Sequence, residues 1–381
     1  MTVTPPRVLH VAKFYPPVEG GMETVVASLC SATEGRLRNR VLAYNQGLGT
    51  VHEEIGGVPV TRSAAVSAVR STPIAPGFLL NLLRDDSDLI VLHEPNPWAL
   101  VSLALTRPRA PIVIWFHSEV IRPRLQYTMF YQPLVSAVYS RASRFVVSSL
   151  SLANHAAALR PYRDRVSIIP FGIDGCDWAD TPQVQARVRE IRARARGRPV
   201  VLFTGRMVAY KGVDVLLRAL VQVDAMAILS GEGPLRAEWQ LLARELGLAE
   251  RVVFPGEVSQ LELRALYRAA DVFVLPSVSS QEAFGFVQLE AMASGTPVIS
   301  TRLPTGVPWV NQDERTGLTV PPGDVRALTA ALNQLLGNPR MRAQMSSAAQ
   351  ARVASEFTRE LMAERAASLF ERLAAGKGQL M

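Results

Sequence analysis

Short apolar runs rich in β-branched residues alternate with longer amphipathic stretches along the chain. In the first half these runs are "RVLHVAKFY", "RVLAYN", "VPVTRS", "LIVLHE", "PIVIWFH", "RFVVSS" and "VSIIPFG". In the second half they are "PVVLFTGR", "MAILSGEG", "RVVFPGE", "VFVLPS", "PVISTRL" and "GLTVPP". Because segments long enough for helices separate the runs, the pattern is typical of βαβ units. It predicts parallel sheets that are covered by helices on both faces.

The alternation occurs twice, and the segment between its two halves is rich in glycine, proline and aspartate. That segment, "PFGIDGCDWADTP" at residues 170–182, is predicted to be a domain boundary. We therefore predict an α/β protein of two doubly wound, Rossmann-like domains, residues 1–172 and 173–356. A final helix at about residues 357–381 should pack back on the first domain. Ligands of such sheets bind beyond the carboxyl ends of the strands, so the expected site is the cleft where the two edges face each other.

The composition is that of a soluble globular protein with large cores. The chain has 381 residues, of which 48% are hydrophobic and 19% are charged. Its most apolar stretch, "LIVLHEPNPWALVSLALT", is broken by polar residues and prolines, so we expect no membrane span. No basic region followed by an apolar region precedes the strand-like "RVLHVAKFY", so we expect no secretory signal. The two cysteines, Cys30 and Cys176, stand in no motif, which indicates a reducing, cytoplasmic location and no cysteine-based metal site.

The charge balance favours an anionic partner. The formal net charge is +8, and of the 41 cationic side chains only Lys13, Lys211 and Lys377 are lysines. A basic surplus suits nucleic acid, an anionic membrane surface or a phosphorylated substrate.

A glycine-rich loop follows the first predicted strand. In "FYPPVEGGMET", residues 14–24, Gly20 and Gly21 stand where a helix should begin. Glycines allow close approach of the backbone, and the amides at a helix start bind anions. An ordinary strand-to-helix turn explains the two glycines equally well.

Two cations follow the first strand of the second domain. In "FTGRMVAYKGVDVLLRAL", residues 203–220, Arg206 and Lys211 stand in the loop before an amphipathic helix. Two cations at the carboxyl end of a strand would neutralise a diphosphate and the charge that develops on it as a leaving group. The alternative is solvated surface charge, against which the rarity of lysine in this chain argues.

The stretch "QEAFGFVQLEA", residues 281–291, carries two glutamates eight residues apart. It follows the buried strand "DVFVLPS", so Glu282 should lie in a loop or at a helix start, with Glu290 about two turns into the helix. Residues with this spacing differ by about 80° around a helix, so one helical face does not explain the pair. Helix-start acids are common, which accounts for Glu282. Glu290 has apolar neighbours, and a buried carboxylate needs partners.

Two histidines end strands of the first domain. His93 and His117 should point toward the cleft, as ligand-binding groups or as structural hydrogen-bonding groups, whereas His10 is expected in the core. The pair Asp86-x-Asp88 resembles a metal–nucleotide motif, but it precedes its strand and so lies at the opposite edge. We interpret it as a polar connector and predict no required metal.

Together these motifs resemble the GT-B fold retaining glycosyltransferases of family 4 over nearly the whole chain. The likeness lies in the order and spacing of the glycine loop with Glu23, the Arg206 and Lys211 pair, the Glu282-x7-Glu290 element and "TGLTVPPGD" at residues 316–324. The strings "HEPNPWALV", "FHSEVIRPR", "PYRDRVSIIPFGID" and "GVPWVNQDERTGL" look most similar to bacterial mannosyltransferases of O-antigen and exopolysaccharide assembly.

The resemblance implies a nucleotide-sugar donor held mainly by the second domain. Arg206 and Lys211 would hold the diphosphate, Glu290 the ribose hydroxyls and Glu282 the hexose hydroxyls. The base would lie against the main chain around Phe254. The backbone of Ala283, Phe284, Gly285 and Phe286 would contact the sugar and the phosphate. The amides of Gly20 and Gly21 would contact the phosphate, and His117 would lie beside the reacting sugar carbon.

The implied reaction transfers a hexose with retention of configuration, without a metal or a cofactor. The expected donor is GDP-mannose, and the expected acceptor is a glycan or a polyprenyl-diphosphate-linked oligosaccharide of cell-surface polysaccharide synthesis. Alternatives are glucosyl transfer from a UDP-sugar to a soluble acceptor, or a non-catalytic nucleotide-binding protein. No nucleic-acid partner is expected, and the absence of G-x-G-x-x-G after the first strand disfavours a dinucleotide oxidoreductase.

Two segments qualify the resemblance. Where many relatives have a Gly-Gly-x-x-Glu-type loop, this chain has Trp309 and Asn311, so the sugar contacts expected there are in question. Residues 121–144 mix four arginines with aromatic residues. That composition suits either a peripheral helix on the inner face of the plasma membrane or a core-packed helix with solvated arginines.

Overall fold

The protein consists of two compact units in a computed structural model that describes residues 4–376 apart from residues 19, 46, 48, 70–71 and 119–131. The first unit is Met1–Phe171 with Arg359–Met381, and the second is Gly172–Thr358. The boundaries predicted from the sequence, after residues 172 and 356, lie close to these positions.

Each of the apolar runs of the sequence forms a strand, and the first unit has three further strands. In the first unit they are β1 (Arg7–Val11), β2 (Arg38–Tyr44), β3 (Val51–Ile55), β4 (Val58–Ser63), β5 (Ser67–Val69), β6 (Thr72–Ile74), β7 (Leu89–Glu94), β8 (Ile112–Phe116), β9 (Ala142–Val147) and β10 (Val166–Ile168). In the second they are β11 (Val200–Thr204), β12 (Met226–Ser230), β13 (Val252–Gly256), β14 (Val272–Leu275), β15 (Val298–Thr301) and β16 (Gly317–Val320).

Helices connect these strands. They are α1 (Gly21–Ala32), α2 (Gly77–Leu83), α3 (Pro97–Thr106), α4 (Gln132–Tyr139), α5 (Leu150–His155), α6 (Pro182–Ala195), α7 (Val213–Leu220), α8 (Arg236–Glu245), α9 (Gln260–Ala269), α10 (Phe286–Ala293), α11 (Val307–Val310), α12 (Val325–Leu336), α13 (Pro339–Glu356) and α14 (Arg359–Ala375). Short 3₁₀ helices span Ala157–Arg165, Gly175–Trp178 and Ala209–Lys211.

Each unit is built around one parallel sheet. The first sheet has the order β10-β9-β8-β7-β1-β2-β4-β3, and the second has the order β13-β12-β11-β14-β15-β16. The second is parallel throughout. The prediction of two doubly wound α/β domains is therefore confirmed.

Strand β3, which pairs antiparallel with β4 at the edge of the first sheet, is an exception to the parallel pattern and was not predicted. Its residues, "VHEEI", are exposed apart from the last, which is partly buried, so the strand has no apolar run by which it could be recognised. Charged side chains suit an exposed sheet edge because they hinder pairing with another chain.

Burial explains why the other elements form where they do. All five residues of β11 are buried, as expected for a central strand with helices on both faces. Helix α7 buries Val213, Leu216, Leu217 and Leu220, which recur at the spacing of one helical face. The C-terminal helix α14 packs within the first unit, where its Glu371 pairs with Arg36 at 2.8 Å. Over the described part of the chain, no helix combines the length and apolarity needed to cross a bilayer.

Candidate active site

An ion pair joins two loops at the carboxyl edge of the second sheet. Lys211 follows β11 and Glu282 follows β14, and these two strands are neighbours in the middle of the sheet. The Lys211 Nζ lies 2.6 Å from Glu282 Oε2, which also accepts a hydrogen bond of 2.9 Å from the Ser277 hydroxyl. Both members of the pair are 8% exposed. The ion pair brings together two of the predicted site residues that are 71 positions apart.

The pair leaves donor and acceptor capacity for a ligand. Burial lowers the pKa of Lys211, but the Glu282 carboxylate raises it, and the net shift is upward, so Lys211 stays charged. An ammonium group has three donors, of which Glu282 takes one. Among the described residues, no hydrogen-bond donor contacts Glu282 Oε1. An anion and a hydroxyl group can therefore be bound side by side.

A glycine lets the two loops touch. Gly212, next to Lys211, has a φ of 65°, and a Cβ atom there would lie 2.2 Å from the Pro276 carbonyl oxygen. The Val278 amide donates to the Tyr210 carbonyl at 2.8 Å, which ties the same two loops together. A side chain at position 212 would push apart the loops that carry the ion pair.

We expect Gly212→Ala to destabilise the second unit by about 3 kcal/mol, since it combines a left-handed backbone with a backbone clash. Gly247→Ala is the matched control because Gly247 has a φ of 72° and a Cβ atom added there would meet no atom within 4 Å. The control should cost only about 1 kcal/mol. Urea unfolding measures both, and equal costs would show that the loop contact is not tight.

Glu290 lies on helix α10 at the same edge. The Tyr267 hydroxyl donates to Glu290 Oε2 at 2.7 Å. Because its only hydrogen is used there, the Thr204 hydroxyl donates to Tyr267 at 2.8 Å. Burial raises the pKa of Glu290 to about 7, against the opposing effects of Tyr267 and Lys211. Helix α10 begins at Phe286, so Glu290 is just over one turn into it, and the predicted position of two turns was wrong.

The start of α10 presents backbone amides beside the ion pair. Gly285 precedes the helix with a φ of 72°, and the first-turn amides of a helix lack intrahelical acceptors. The buried Phe284 ring packs near Trp309 and Phe357, at centroid distances of 6.4 and 6.2 Å. These contacts fix the direction of the turn from Ala283 onward.

Arg206 stands apart from the other charged groups. Its side chain is exposed, and among the described residues no carboxylate lies within 4.0 Å of it. The loop carrying it packs on "SGEG" after β12, where a Cβ on Gly231 would lie 2.1 Å from the Gly205 carbonyl oxygen. Gly233 meets the backbone of Met207 in the same way. No role was predicted for Gly231 and Gly233, although both stand in the string "SGEG" that was recognised as the end of a strand.

The main chain around Phe254 forms the end of β13. Phe254 is partly buried, and its carbonyl accepts a hydrogen bond of 2.9 Å from Arg236. The neighbouring Val253 is 43% exposed. The segment is therefore partly exposed, at the same edge of the sheet as Arg206.

Trp309 and Asn311 serve the fold. Asn311 is fully buried, and its amide nitrogen donates to Val298, Ser300 and Leu318 while its oxygen accepts from Thr316. Trp309 packs edge-on against Phe357 at 5.1 Å. Since these contacts use the whole of the Asn311 amide, a sugar contact from that side chain would require it to give up protein partners.

The first unit has its own set of predicted residues. Helix α1 begins at Gly21, and a Cβ atom added to Gly21 would meet no atom within 4 Å. A Cβ atom added to Gly20 would instead collide with the Glu23 carboxylate. Burial raises the pKa of Glu23, and it lowers the pKa of Lys13 nearby. The helix start is therefore open beside Gly21, whereas the Glu23 carboxylate covers it beside Gly20.

His117 directly follows β8 and joins a row of buried histidines. Its Nε2 lies 3.0 Å from His93 Nδ1, and His93 Nε2 lies 3.1 Å from His10 Nδ1. His10 is fully buried, as expected. Its hydrogen bond to His93 was not predicted, because each residue alone looks like an isolated strand histidine.

The Asp86-x-Asp88 motif forms ion pairs with arginine. Asp88 lies 3.1 Å from Arg7, and Asp86 lies 2.8 Å from Arg40. Within the described chain no three His, Cys, Asp or Glu side chains are grouped as metal ligands.

Of the proposed membrane segment 121–144, residues 121–131 lie outside the described residues, and the rest begins with α4.

Sequence reasoning missed the residues that hold the two glutamates. Tyr267 is fully buried on the apolar face of α9, and Ser277 lies in a loop. An aromatic residue on an apolar helix face looks like core packing, so the sequence carries no signal for Tyr267. Ser277 could have been suspected from its place directly beyond a buried strand.

Both halves of the chain match known families. Residues 184–352 match the family described as glycosyl transferases group 1, and residues 19–175 match glycosyltransferase family 4. The O-antigen chain mannosyltransferase C of Escherichia coli is 30% identical over 379 residues, covering 97% of this chain and 100% of that protein. The D-rhamnosyltransferase WbpZ of Pseudomonas aeruginosa is 33% identical over 360 residues, with 92% of each chain covered.

A solved structure shares the fold. The Anabaena protein Alr3699/HepE, crystallised with UDP and glucose, superimposes with a TM-score of 0.78 at 21% identity, covering 96% of this chain and all of that one. At this identity the likeness concerns the fold alone.

Proposed function

Because the chain belongs to glycosyltransferase family 4, we propose that it transfers mannose from GDP-mannose, with retention of configuration and without a metal, to a glycan or polyprenyl-diphosphate-linked oligosaccharide. Glycosyl transfer is the activity of the family. The sugar, the nucleotide, the stereochemistry and the acceptor are the proposed part.

The Lys211–Glu282 ion pair is the observation that carries the proposal. A nucleotide-sugar places a diphosphate directly beside a polyhydroxylated ring, and the pair offers a cation beside a carboxylate at 2.6 Å. Lys211 and the exposed Arg206 would neutralise the diphosphate. Glu282 would accept hydrogen bonds from hexose hydroxyls, and the amides at the start of α10 would contact sugar and phosphate.

Glu290 and Phe254 would hold the nucleoside. The Glu290 carboxylate, oriented by Tyr267, is a pure acceptor when ionised and suits the two ribose hydroxyls. The main chain near Phe254 would lie against the base.

In the proposed reaction the acceptor hydroxyl attacks the anomeric carbon on the face that the diphosphate leaves. The bond from that carbon to the phosphate oxygen breaks, and the bond to the acceptor oxygen forms. The acceptor proton passes to the leaving phosphate oxygen. Lys211 and Arg206 stabilise the charge that develops on the diphosphate, which is where fixed charges contribute most. Glu282 holds the ring and forms no covalent bond.

The names of the relatives support a manno-configured sugar. One is named as a mannosyltransferase and another as a D-rhamnosyltransferase, and D-rhamnose is 6-deoxymannose. An O-antigen relative also supports a lipid-linked glycan acceptor, for which we propose action at the inner face of the plasma membrane.

A donor panel tests the proposal. Purified protein is titrated with GDP-mannose, GDP, UDP-glucose and UDP, and binding is followed by thermal shift and calorimetry. We expect GDP-mannose to bind most tightly and UDP-glucose at least tenfold more weakly. Preferential binding of UDP-glucose would replace GDP-mannose by the alternative donor, and no binding of any nucleotide would contradict the proposal.

Affinity for GDP-mannose should rise with pH. With the pKa of free Glu290 raised to about 7, the ionised fraction that can accept ribose hydroxyls grows about tenfold from pH 6 to pH 8. The dissociation constant, measured by calorimetry without acceptor, should fall by a similar factor. Glu290→Gln is the control, since it keeps the shape and removes the titration, so its affinity should be weak and flat across this range. A flat wild-type profile would contradict the assigned role.

A further inference from the structure

Three buried histidines on neighbouring strands form a hydrogen-bonded row, and the contacts proposed above for the donor do not include them. His10 lies on β1, His93 on β7 and His117 just beyond β8. Ring nitrogens meet at 3.1 Å between His10 and His93 and at 3.0 Å between His93 and His117. Ring stacking on Trp115 holds His93, and stacking on Phe171 holds His117.

An amide of fixed orientation ends the row. Asn39 Nδ2 donates to the Cys30 carbonyl at 3.1 Å and to the Thr33 hydroxyl at 2.8 Å. The Thr33 hydroxyl donates its own hydrogen to the Leu29 carbonyl at 2.8 Å, so it can only accept from Asn39. The Asn39 oxygen must therefore face His10 Nε2, which lies 3.2 Å away.

This amide dictates which nitrogen of each ring carries the proton. A neutral histidine has one donor and one acceptor nitrogen. His10 must donate through Nε2 to Asn39, so its Nδ1 accepts from His93 Nε2. His93 Nδ1 then accepts from His117 Nε2, and His117 Nδ1 is left as an acceptor. Among the described residues no donor contacts that nitrogen, and His117 is 7% exposed.

The three rings are neutral at physiological pH. Burial lowers the pKa of His10 to about 4 and the pKa of His117 to about 3, and it lowers that of His93 as well. The row does not conduct protons, because it ends on an amide whose hydrogens are held by Cys30 and Thr33. It can fix a tautomer but cannot carry a proton away.

We propose that Asn39 and His10 are positioning residues that fix His117 with its proton on Nε2, so that Nδ1 accepts a hydrogen bond from a hydroxyl group of the ligand. The inference rests on the proposed function in taking that ligand to be a sugar. A ligand atom at Nδ1 must be a hydrogen-bond donor, so the site selects a free hydroxyl against an ether or a phosphate oxygen.

Nitrogen NMR of protein labelled in its histidine rings tests the tautomer directly. The exposed His52 and His155 provide reference signals from histidines outside the row. For the wild-type protein at pH 7 we expect acceptor-type Nδ1 and protonated Nε2 signals from His10, His93 and His117. A protonated Nδ1 on His117, or a charged ring there, would overturn the proposal.

Two variants test the origin of the tautomer. Asn39→Leu removes the fixed acceptor, and His10→Phe interrupts the row at another point, so each should give His117 a mixture of tautomers and lower kcat about tenfold. Thr33→Val is the control, since the Cys30 carbonyl still holds the amide. If neither variant changes the His117 signals, the proposal fails.

The tautomer measurement needs neither donor nor acceptor. Its result is therefore independent of the donor panel, which tests the proposed function. If Asn39→Leu does not fold, the wild-type spectrum and His10→Phe still decide.

Discussion

Lys211→Met should lower kcat/KM for sugar transfer about 10³-fold and weaken GDP binding at least tenfold. The loss corresponds to about 4 kcal/mol of transition-state stabilisation, a size typical of removing a fixed charge from a developing anion. Methionine keeps the length of the buried stem, so the change removes mainly the ammonium group. Steady-state kinetics and calorimetry with GDP measure the two effects.

The variant also leaves Glu282 buried without its cation, which should destabilise the fold by about 3 kcal/mol. The double variant Lys211→Met/Glu282→Gln separates the two effects, because it removes the unpaired charge and should regain most of the stability without regaining activity. Recovery of activity in the double variant, or near wild-type kcat/KM in Lys211→Met, would show that Lys211 serves only to neutralise Glu282.

Glu282→Ala should lower kcat/KM about 10²- to 10³-fold while GDP affinity stays within about threefold of wild type. The proposed contact of Glu282 is with the hexose, which GDP lacks, and misplacement of the reacting sugar lowers the rate steeply. The same titration with GDP-mannose should show weakened binding. This contrast between GDP and GDP-mannose is absent from the expectation for Lys211→Met.

Glu257→Ala provides the surface control, since Glu257 is an exposed acid of the same unit. It should leave both affinities and kcat/KM unchanged. If Glu282→Ala weakens GDP and GDP-mannose equally, Glu282 acts by holding Lys211 in place and does not contact the sugar.

The positions of most strands and the separation of Glu282 from Glu290 could be predicted because both follow from local pattern. The run "DVFVLPS" is apolar enough to mark β14, and the next helix ends at a glycine signal at Gly295, whose φ is 80°. A loop glutamate and a helix glutamate follow directly. The number of helical turns before Glu290 could not be predicted, because the left-handed Gly285 sets where α10 begins.

The contacts that define the site could not be predicted, because they join residues far apart in sequence. Nothing near Lys211 indicates that Glu282 will be its partner, and Tyr267 looks like core until Glu290 is placed beside it. The histidine row could not be predicted for the same reason, because its three members are also far apart in sequence. Only the strand order, which puts β7 between β1 and β8, brings His10, His93 and His117 into contact.

Transfer of mannose from GDP-mannose to a lipid-linked oligosaccharide, detected by mass and with the anomeric configuration read by NMR, is the most direct test of the proposed function. The expected result is one added hexose in the configuration of the donor, lost in both Lys211→Met and Glu282→Ala. Failure to transfer a hexose from any nucleotide-sugar, or full activity in those two variants, would contradict the assignment of the site.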